Sequence, residues 1–287
     1  MEYILKHFCE EILSQENTNG ILLINKEINM MNYSSEFDFL LIVVIDQPQL
    51  ASVEQFDISN KSVEVYYFTI NQISRILITG KNRALIDWLI NGTVVFEKDE
   101  YISKLRKNII DFPISERKYK MTVEFTKLIH RYTEGKKLFQ SGHLLDAFNS
   151  ILHSLHYLAR LSVIEHGFYP EVTVWKQVKR FEPEIYKLYE EMVTGEESLE
   201  KRLELLLIAN NFALASKTKI GASHLLEIMR QGKEPWSIEQ LLNLDEIKEY
   251  KINLVALVEY LVNKGIVDII KVPTEKENVF KRLFYIK

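Results

Sequence analysis

Residues 34–45, which read SSEFDFLLIVVI, decide the fold of the first hundred residues. Glu36 and Asp38 lead directly into seven apolar residues, 39–45, which end before Asp46. A short apolar run bounded in this way predicts a buried strand. Because alternate residues of a strand share a face, the two carboxylates are expected to point to the same side at the N-terminal end of the strand.

The acidic pair predicts a particular kind of chemistry. Two hard oxygen ligands side by side suit Mg²⁺, which proteins usually hold with one or two carboxylates together with substrate phosphates. Phosphoryl transfer is the reaction that such a pair favours. The alternative is structural, because acidic residues often close loops before strands, where they bond turn amides and stay solvated.

The stretch resembles the nucleotidyltransferases of the polymerase-beta type. These proteins carry a strand, a Gly-Ser turn and then an acidic pair, Asp-x-Asp or Asp-x-Glu, that leads into an apolar strand. Here residues 20–25 (GILLIN) look like the first strand, and Glu36-Phe37-Asp38 falls where the acidic pair belongs. The position of Gly-Ser reads Asn25-Lys26 instead, and the first metal carboxylate is a glutamate.

The resemblance implies a set of site residues. A third carboxylate is expected inside a following strand, and Glu64 in residues 63–68 (VEVYYF) is the candidate. The resemblance thus implies Mg²⁺ as cofactor, held by Glu36 and Asp38, with Glu64 completing the catalytic set. Nucleotide contacts are implied for three further residues: Asn25, Lys26 and Ser35.

The whole chain is most similar to the bacterial nucleotidyltransferase-like proteins, of which residues 86–92 (IDWLING) and 171–175 (EVTVW) are typical. The resemblance implies an α+β, multidomain protein with a nucleotidyltransferase-like domain (1–112), a HEPN-like or substrate-binding helical bundle (113–232) and a winged-helix-like domain (233–287). Its activity would be transfer of a nucleoside monophosphate from a nucleoside triphosphate to an unknown hydroxyl acceptor. The alternative is an inactive descendant that binds a nucleotide or another protein.

Composition narrows the class of protein. The 287 residues are 47% hydrophobic and 26% charged, as in ordinary globular proteins. The net charge of −4 gives no overall basic field, so nucleic acid is not expected as a partner unless a local patch binds it. One cysteine, Cys9, excludes an intramolecular disulfide, and the acidic start is unlike a signal peptide. We therefore expect a cytoplasmic protein with no membrane partner.

Charge is distributed unevenly along the chain. Residues 1–100 hold 15 acidic and 7 basic side chains, whereas residues 101–140 hold 4 acidic and 10 basic ones. Lys81 and Arg83, at the start of a predicted helix, are candidate nucleotide-binding residues because helix amides there favour phosphate, although such residues often only solvate a helix end. Basic residues of the helix 118–139, among them Lys120 and Lys127, would either face a phosphate cleft or pair with acidic residues elsewhere.

The middle of the chain predicts a helical bundle. Apolar residues recur every three or four positions over 142–166, and the pattern continues in helices over 175–181, 183–194 and 198–216. The resemblance implies that this bundle forms a homodimer. His153 and His156 have a spacing that can hold a metal, and Arg160 with His166 fits a loose ribonuclease pattern, but structural roles are favoured for all four.

The last fifty residues predict helix, helix and hairpin, over 237–242, 254–263 and then 266–272 with 279–286. This order resembles a winged-helix module. Glu259 is the only charged residue of the second helix, so packing or protein contact is favoured over reading of DNA bases. Lysines of the hairpin could still touch phosphates.

Overall fold

The computed structural model describes residues 2–13, 17–25, 37–47, 52–232 and 235–286. The chain divides into two compact units. The first comprises Met1–Pro113 with Tyr169–Val172, and the second comprises Ile114–Phe168 with Thr173–Lys287. Within the described ranges, every helix is too short or too polar to cross a membrane.

A five-stranded mixed sheet forms the centre of the first unit, in the order β3-β4-β2-β1-β5. Strand β1 is antiparallel to β2 and β5, β3 is antiparallel to β4, and β2 runs parallel to β4. The bounds of the strands are β1 Thr18–Asn25, β2 Phe39–Ile45, β3 Val53–Ile58, β4 Lys61–Thr69 and β5 Thr93–Glu97. The predicted strand 39–45 is therefore confirmed as the central strand β2.

Helices cover both faces of this sheet: α1 (Glu2–Leu13), α2 (Ile70–Thr79), α3 (Arg83–Asn91) and α4 (Tyr101–Asp111). Leu40, Ile42 and Val44 of β2 face the core shared with α2, α3 and α4. The intervening Leu41 and Val43 face the core that includes α1. Burial on both faces explains why β2 is apolar throughout, since an alternating strand would bury polar groups on one side.

Strand β3 is the element of the sheet that the sequence analysis missed. It lies at the sheet edge, and every second residue is exposed, so its apolar content is low. It joins β4 through a tight turn in which Ser59 and Asn60 both have positive φ, 50° and 63°. Two such residues form the turn type whose twist matches a hairpin, and Lys61 begins β4 directly after it.

The second unit begins with a helical bundle whose helices are α5 (Ile114–Gln140), α6 (Leu144–Glu165), α7 (Val174–Phe181), α8 (Pro183–Thr194), α9 (Leu199–Gly221) and α10 (Ser223–Gln231). Helices α5 and α6 pack closely, since a Cβ added at Gly135 would fall 2.7 Å from Ile151 Cδ1. Helix α9 packs on α5, where a Cβ at Gly221 would fall 2.6 Å from Phe125 Cδ2. The predicted bundle helices are present, and α10 is an addition that the sequence analysis did not identify.

The chain ends in a helix-turn-helix arrangement with a hairpin. It contains α11 (Ile238–Leu242), two short 3-10 turns (Asp245–Ile247 and Lys251–Asn253), α12 (Leu254–Asn263) and the antiparallel strands β6 (Val267–Pro273) and β7 (Phe280–Ile286). Trp236 bridges Phe284 through two backbone hydrogen bonds of 2.7 and 2.8 Å. The predicted order of helix, helix and hairpin is therefore present.

Candidate functional site

The registers of three strands bring part of the predicted site to one end of the sheet. Phe39 is paired with Asn25 of the antiparallel neighbour and with Val63 of the parallel neighbour. Asn25 therefore lies at the end of β1 that meets the start of β2 and the start of β4. Asp38, next to Phe39, and Glu64, next to Val63, lie at this same end.

Asp38 is bound to two residues at the start of β4. Its Oδ1 accepts a hydrogen bond from Lys61 Nζ at 2.8 Å, and its Oδ2 accepts from the Ser62 backbone N–H at 3.0 Å and from Ser62 Oγ at 3.3 Å. The Lys61 bond, followed by the Ser62 amide bond, holds the pKa of Asp38 below its ordinary value. The carboxylate is therefore ionised at neutral pH and already bound to a cation.

Glu64 lies on the same face of the sheet as Asp38. Its Cα partner is Leu40, two residues beyond Asp38, so the strand alternation directs both carboxylates to one side. From strand spacing and rise, their Cα atoms are roughly 8 Å apart. Glu64 is 7% exposed, and its Oε1 accepts from Gln55 Nε2 at 3.3 Å.

The Glu64 charge also acts on a neighbouring tyrosine. Burial first, and then the charge and hydrogen bond of Glu64, raise the pKa of Tyr66. Glu64 is thus a buried carboxylate with an amide donor and a phenol beside it. These partners suit a structural carboxylate as well as they suit a ligand of a metal.

The described residues do not fit a magnesium ion as they stand. Both oxygens of Asp38 are used by Lys61 and Ser62, and a metal at Oδ1 would meet the ammonium group. Among the residues that the structure describes, no group of three or more His, Cys, Asp or Glu side chains could hold a metal. Glu36, the other predicted ligand, lies outside the described residues, as do Lys26 and Ser35.

Lys81 and Arg83 have different surroundings from Asp38. Lys81 lines a cavity of 210 Å³ with Tyr67 and Phe68, which lie toward the opposite end of β4 from Ser62. Arg83 Nη1 donates to the Glu171 carbonyl at 3.2 Å within the first unit. The amides that begin α3 are capped by the side chain of Asn82, which accepts from the Leu85 N–H at 3.2 Å.

Two basic residues of α5 form ion pairs with acidic residues of the same helix. Lys127 Nζ lies 3.1 Å from Glu124, and Arg131 Nη1 lies 2.8 Å from Glu134. Lys120, expected on the basic face, is only 2% exposed. These partners favour the structural alternative for Lys127 and Arg131.

Arg160 and His156 of α6, and His166 directly after it, also have structural partners, whereas His153 is exposed. The Arg160 guanidinium lies 3.6 Å from the buried Glu124 carboxylate. His166 Nδ1 lies 2.9 Å from the Ser162 carbonyl, and the His156 ring packs edge-on against Trp175. The structure thus gives Arg160 and His166 separate partners.

Lys61 and Ser62 are the site residues that the sequence analysis missed. A lysine that follows a turn is unremarkable in a sequence, because such residues are common on the surface. The parallel register of β2 and β4 brings Lys61 and Ser62 to Asp38, and nothing in the local sequence specifies that register.

Comparisons with known proteins cover nearly the whole chain. Residues 1–117 match a family described as nucleotidyltransferase-like, residues 118–217 match a YgxA-like substrate binding domain, and residues 223–286 match a helix-turn-helix domain. Uncharacterized protein YgxA of Bacillus subtilis strain 168 is 38% identical over 288 residues, which span 100% of this chain and 98% of that protein. The crystal structure of a nucleotidyltransferase-like protein from Exiguobacterium sibiricum 255-15 has a TM-score of 0.86 and 33% identity, covering 100% of this chain and 99% of that chain.

Proposed function

Since the chain belongs to the YgxA family of nucleotidyltransferase-like proteins, we propose that it keeps the nucleotidyltransferase fold as a binding module that does not transfer nucleotides. The predicted family and the predicted α+β domain order are confirmed by these matches. The HEPN-like character of the bundle and the roles of the site residues remain predictions.

The ion pair between Lys61 and Asp38 carries this proposal. Nucleotidyl transfer needs a divalent metal to neutralise charge that develops on the phosphate and to align the attack. In this chain a monovalent ammonium group takes the carboxylate oxygen that would hold such a metal. The sequence also lacks the Gly-Ser turn whose amides would approach a triphosphate, since Asn25-Lys26 stands there.

Binding of nucleoside triphosphates with and without Mg²⁺ tests the proposal. Isothermal titration with ATP, CTP, GTP and UTP is expected to show either no binding or binding that Mg²⁺ does not strengthen. A matched pair of variants, Asp38→Asn at the site and Asp111→Asn at the exposed end of α4, separates a site effect from a general change of charge. Magnesium-dependent binding that Asp38→Asn abolishes and Asp111→Asn preserves would overturn the proposal.

Magnesium-dependent transfer to an unknown hydroxyl acceptor is the competing function. The observation that favours it is the placement of Asp38 and Glu64 on one face of neighbouring parallel strands. It would require Lys61 to leave Asp38. Incubation with labelled nucleoside triphosphate and analysis for a labelled product of the chain or of an added acceptor distinguishes the two functions.

A second role, contact with nucleic acid, is favoured by the exposed surface of the C-terminal domain. Lys251 and Ile252, just before α12, are exposed, and Ile252 is 96% exposed. The start of a second helix is the part of a helix-turn-helix domain that approaches base edges. Three exposed lysines of the hairpin segment, Lys271, Lys276 and Lys281, could contact phosphates.

The salt dependence of binding to mixed-sequence DNA tests this second role. Each lost phosphate contact is expected to reduce the slope of log K against log salt by about 0.9. A triple alanine variant of Lys271, Lys276 and Lys281 should therefore bind more weakly and with a shallower slope. A control triple variant in the first unit, at the exposed Lys98, Lys104 and Lys107, should leave the slope unchanged, and equal slopes in all three proteins would exclude the role.

A further inference from the structure

A cavity of 210 Å³ lies beside the sheet edge of the first unit. The edge strand β3 is paired with β4 only up to Tyr66, so the last three residues of β4 extend beyond it. Tyr67 and Phe68 of this extension line the cavity together with residues of α2. The space is therefore bounded by a strand end and a helix of the same unit.

Helix α2 supplies one wall of the cavity. Four of its residues, spaced i, i+3, i+4 and i+7 on one face of the helix, line the space: Gln72, Arg75, Ile76 and Thr79. The helix ends at Thr79, and Gly80 then has a φ of 65°, a left-handed conformation that glycine adopts without strain. Lys81, directly after this turn, also lines the cavity.

Hydrogen bonds within the unit hold two of the lining side chains in place. The Gln72 amide oxygen accepts from the Thr69 N–H at 2.8 Å, as part of the capping box of α2. The Tyr67 hydroxyl donates to the Glu54 carboxylate at 2.9 Å. A ligand would therefore meet walls that are partly ordered in advance, which lowers the entropic cost of binding.

The charge of the lining favours an anion. Among the described residues that line the cavity, Arg75 and Lys81 are cationic and none is acidic. Glu54, which is bound to the Tyr67 hydroxyl, is not one of the lining residues. A guanidinium binds a carboxylate or a phosphate through two parallel hydrogen bonds, and an ammonium group adds a compact point charge.

The rest of the lining favours a small apolar group. Tyr67 and Phe68 supply two aromatic rings, and Ile76 supplies an aliphatic side chain. Sites for small molecules combine such surfaces with a few polar groups that fix the orientation of the ligand. Pockets for drug-sized ligands measure about 300–1,000 Å³, so a cavity of 210 Å³ suits a smaller molecule and does not enclose a nucleoside triphosphate.

The cavity is separate from the end of the sheet that holds Asp38. Phe68 lies six residues along β4 from Ser62, the partner of Asp38, which is about 20 Å at the rise of a strand. The nucleotide contact expected of Lys81 depends on the amides that begin α3, whereas in the structure Lys81 shares a cavity with side chains of α2.

We propose that this cavity binds a small organic anion, whose carboxylate or phosphate group is held by Arg75 and Lys81 and whose apolar group packs against the two aromatic rings. The proposal goes beyond the proposed function and does not rest on it, because the ligand is smaller than a nucleoside triphosphate and the site does not include Asp38. Phenyl phosphate and benzoate carry the two kinds of anionic group on the same ring, so they serve as probes.

Isothermal titration of the full chain with these two probes tests the proposal. Inorganic phosphate, acetate and benzyl alcohol are the controls, since each lacks either the ring or the charge. At least one probe is expected to bind saturably and about 10-fold or more tightly than its controls, and the tighter probe identifies the anionic group. No saturable binding of either probe, or equal binding of the matching ring-free anion, would overturn the proposal.

Substitutions locate the bound probe. Arg75→Gln and Lys81→Gln should each weaken binding of the tighter probe by about 10-fold or more, because each removes a charged hydrogen-bond donor. Lys107→Gln, at an exposed lysine of α4, is the charge-matched control and should bind like wild type. Asp38→Asn should also retain wild-type affinity for the probe, whatever its effect on nucleotides. Wild-type affinity in either cavity variant, or weakened binding in Asp38→Asn, would contradict the assigned site.

NMR detects the contact without any substitution. Nuclear Overhauser effects between the ring protons of the bound probe and the methyl groups of Ile76 are expected, because Ile76 lines the cavity. The methyl groups of Ile102, a fully buried residue that packs at Gly20 of β1, should show none. Absence of the Ile76 signals at a saturating concentration of the probe would show that the ring binds elsewhere and that the proposal is wrong.

Discussion

Lys61 Nζ lies 2.8 Å from Asp38 Oδ1, although the two residues are 23 positions apart in the chain. The pair forms because β2 and β4 are parallel neighbours in register and the turn at Ser59 and Asn60 starts β4 beside the start of β2. It gives a carboxylate of the predicted metal site a partner from within the protein.

Replacing Lys61 by methionine should raise the pKa of Asp38 toward its ordinary value, because the ammonium hydrogen bond is lost. Because the pKa of Asp38 is lower in the folded chain than in the unfolded chain, the ion pair stabilises the fold at pH values above the unfolded pKa of ~3.9. That contribution is lost as the pH falls through the folded pKa. Carboxyl-carbon NMR titration measures the pKa of Asp38 directly. The free energies of unfolding of the wild type and the Lys61→Met variant should become equal only at acid pH. In the control variant Lys107→Met, at an exposed lysine of α4, Asp38 should keep its wild-type pKa.

Replacing Glu64 by glutamine should lower the pKa of Tyr66. Burial would keep that pKa above its ordinary value, but the contribution of the carboxylate charge would be gone. NMR titration of tyrosines labelled at Cζ reports each phenol separately. Glu54→Gln is the matched control: Glu54 accepts a hydrogen bond from the Tyr67 hydroxyl at 2.9 Å and raises the pKa of Tyr67, so this substitution should lower the pKa of Tyr67 and leave that of Tyr66 unchanged. An unchanged pKa of Tyr66 in the Glu64→Gln variant would contradict the placement of the Glu64 side chain beside Tyr66 on β4.

Replacing Gly221 by alanine should destabilise the second unit by about 1–3 kcal/mol through overpacking. The added methyl group would fall 2.6 Å from Phe125 Cδ2, in a part of the core where Phe125 is fully buried. This cost should exceed the gain in helix propensity from alanine, about 1 kcal/mol. Denaturant unfolding measures the difference, with Ser216→Ala, at an exposed position of the same helix, as the control. Equal or higher stability of Gly221→Ala would show that α5 and α9 separate easily.

Lowering the pH below 6.5 should destabilise the second unit through His224. Burial lowers the pKa of this histidine, whose Nδ1 lies 2.9 Å from the Tyr250 hydroxyl, despite the opposing charges of Glu227 and Glu246. The unfolded chain therefore binds a proton more readily, so stability is lost as the pH falls through ~6.5 toward the folded pKa. The melting temperatures at pH 7.5 and pH 5.5 should differ less for His224→Gln than for the wild type. The exposed His143→Gln should retain the wild-type difference.

Elements with strong periodicity could be predicted from the sequence, and weakly patterned ones could not. The apolar run 39–45 and the stripe over 142–166 each bury enough side-chain surface to impose their structure, and they correspond to β2 and α6. Strand β3 has three polar residues in six and lies at the sheet edge, so its backbone pairing with β4, rather than its own composition, holds it in place. Helix α10 is short, and its three buried residues give little repeat from which to predict it.

Within the candidate site, residue types were readable but partners were not. Asp38 and Glu64 were predicted as site carboxylates from the family resemblance, but their placement on one sheet face depends on the register of β2 and β4. Lys61 and Ser62 as partners of Asp38 depend on which strands are neighbours and on their direction. Lys120 shows the same limit, since its charge favours an exposed position but the bundle buries it.

The sequence by itself indicated the family through its resemblance to known motifs, and it indicated the α+β class and the order of the elements through local patterns of apolar and polar residues. Only the tertiary structure decided that Asp38 bonds Lys61 and that Lys120 is buried in the bundle. Each of these results needs segments that are distant in the chain to pack together. A local pattern specifies which face of a segment is buried, but it does not specify what that face or its neighbour will touch.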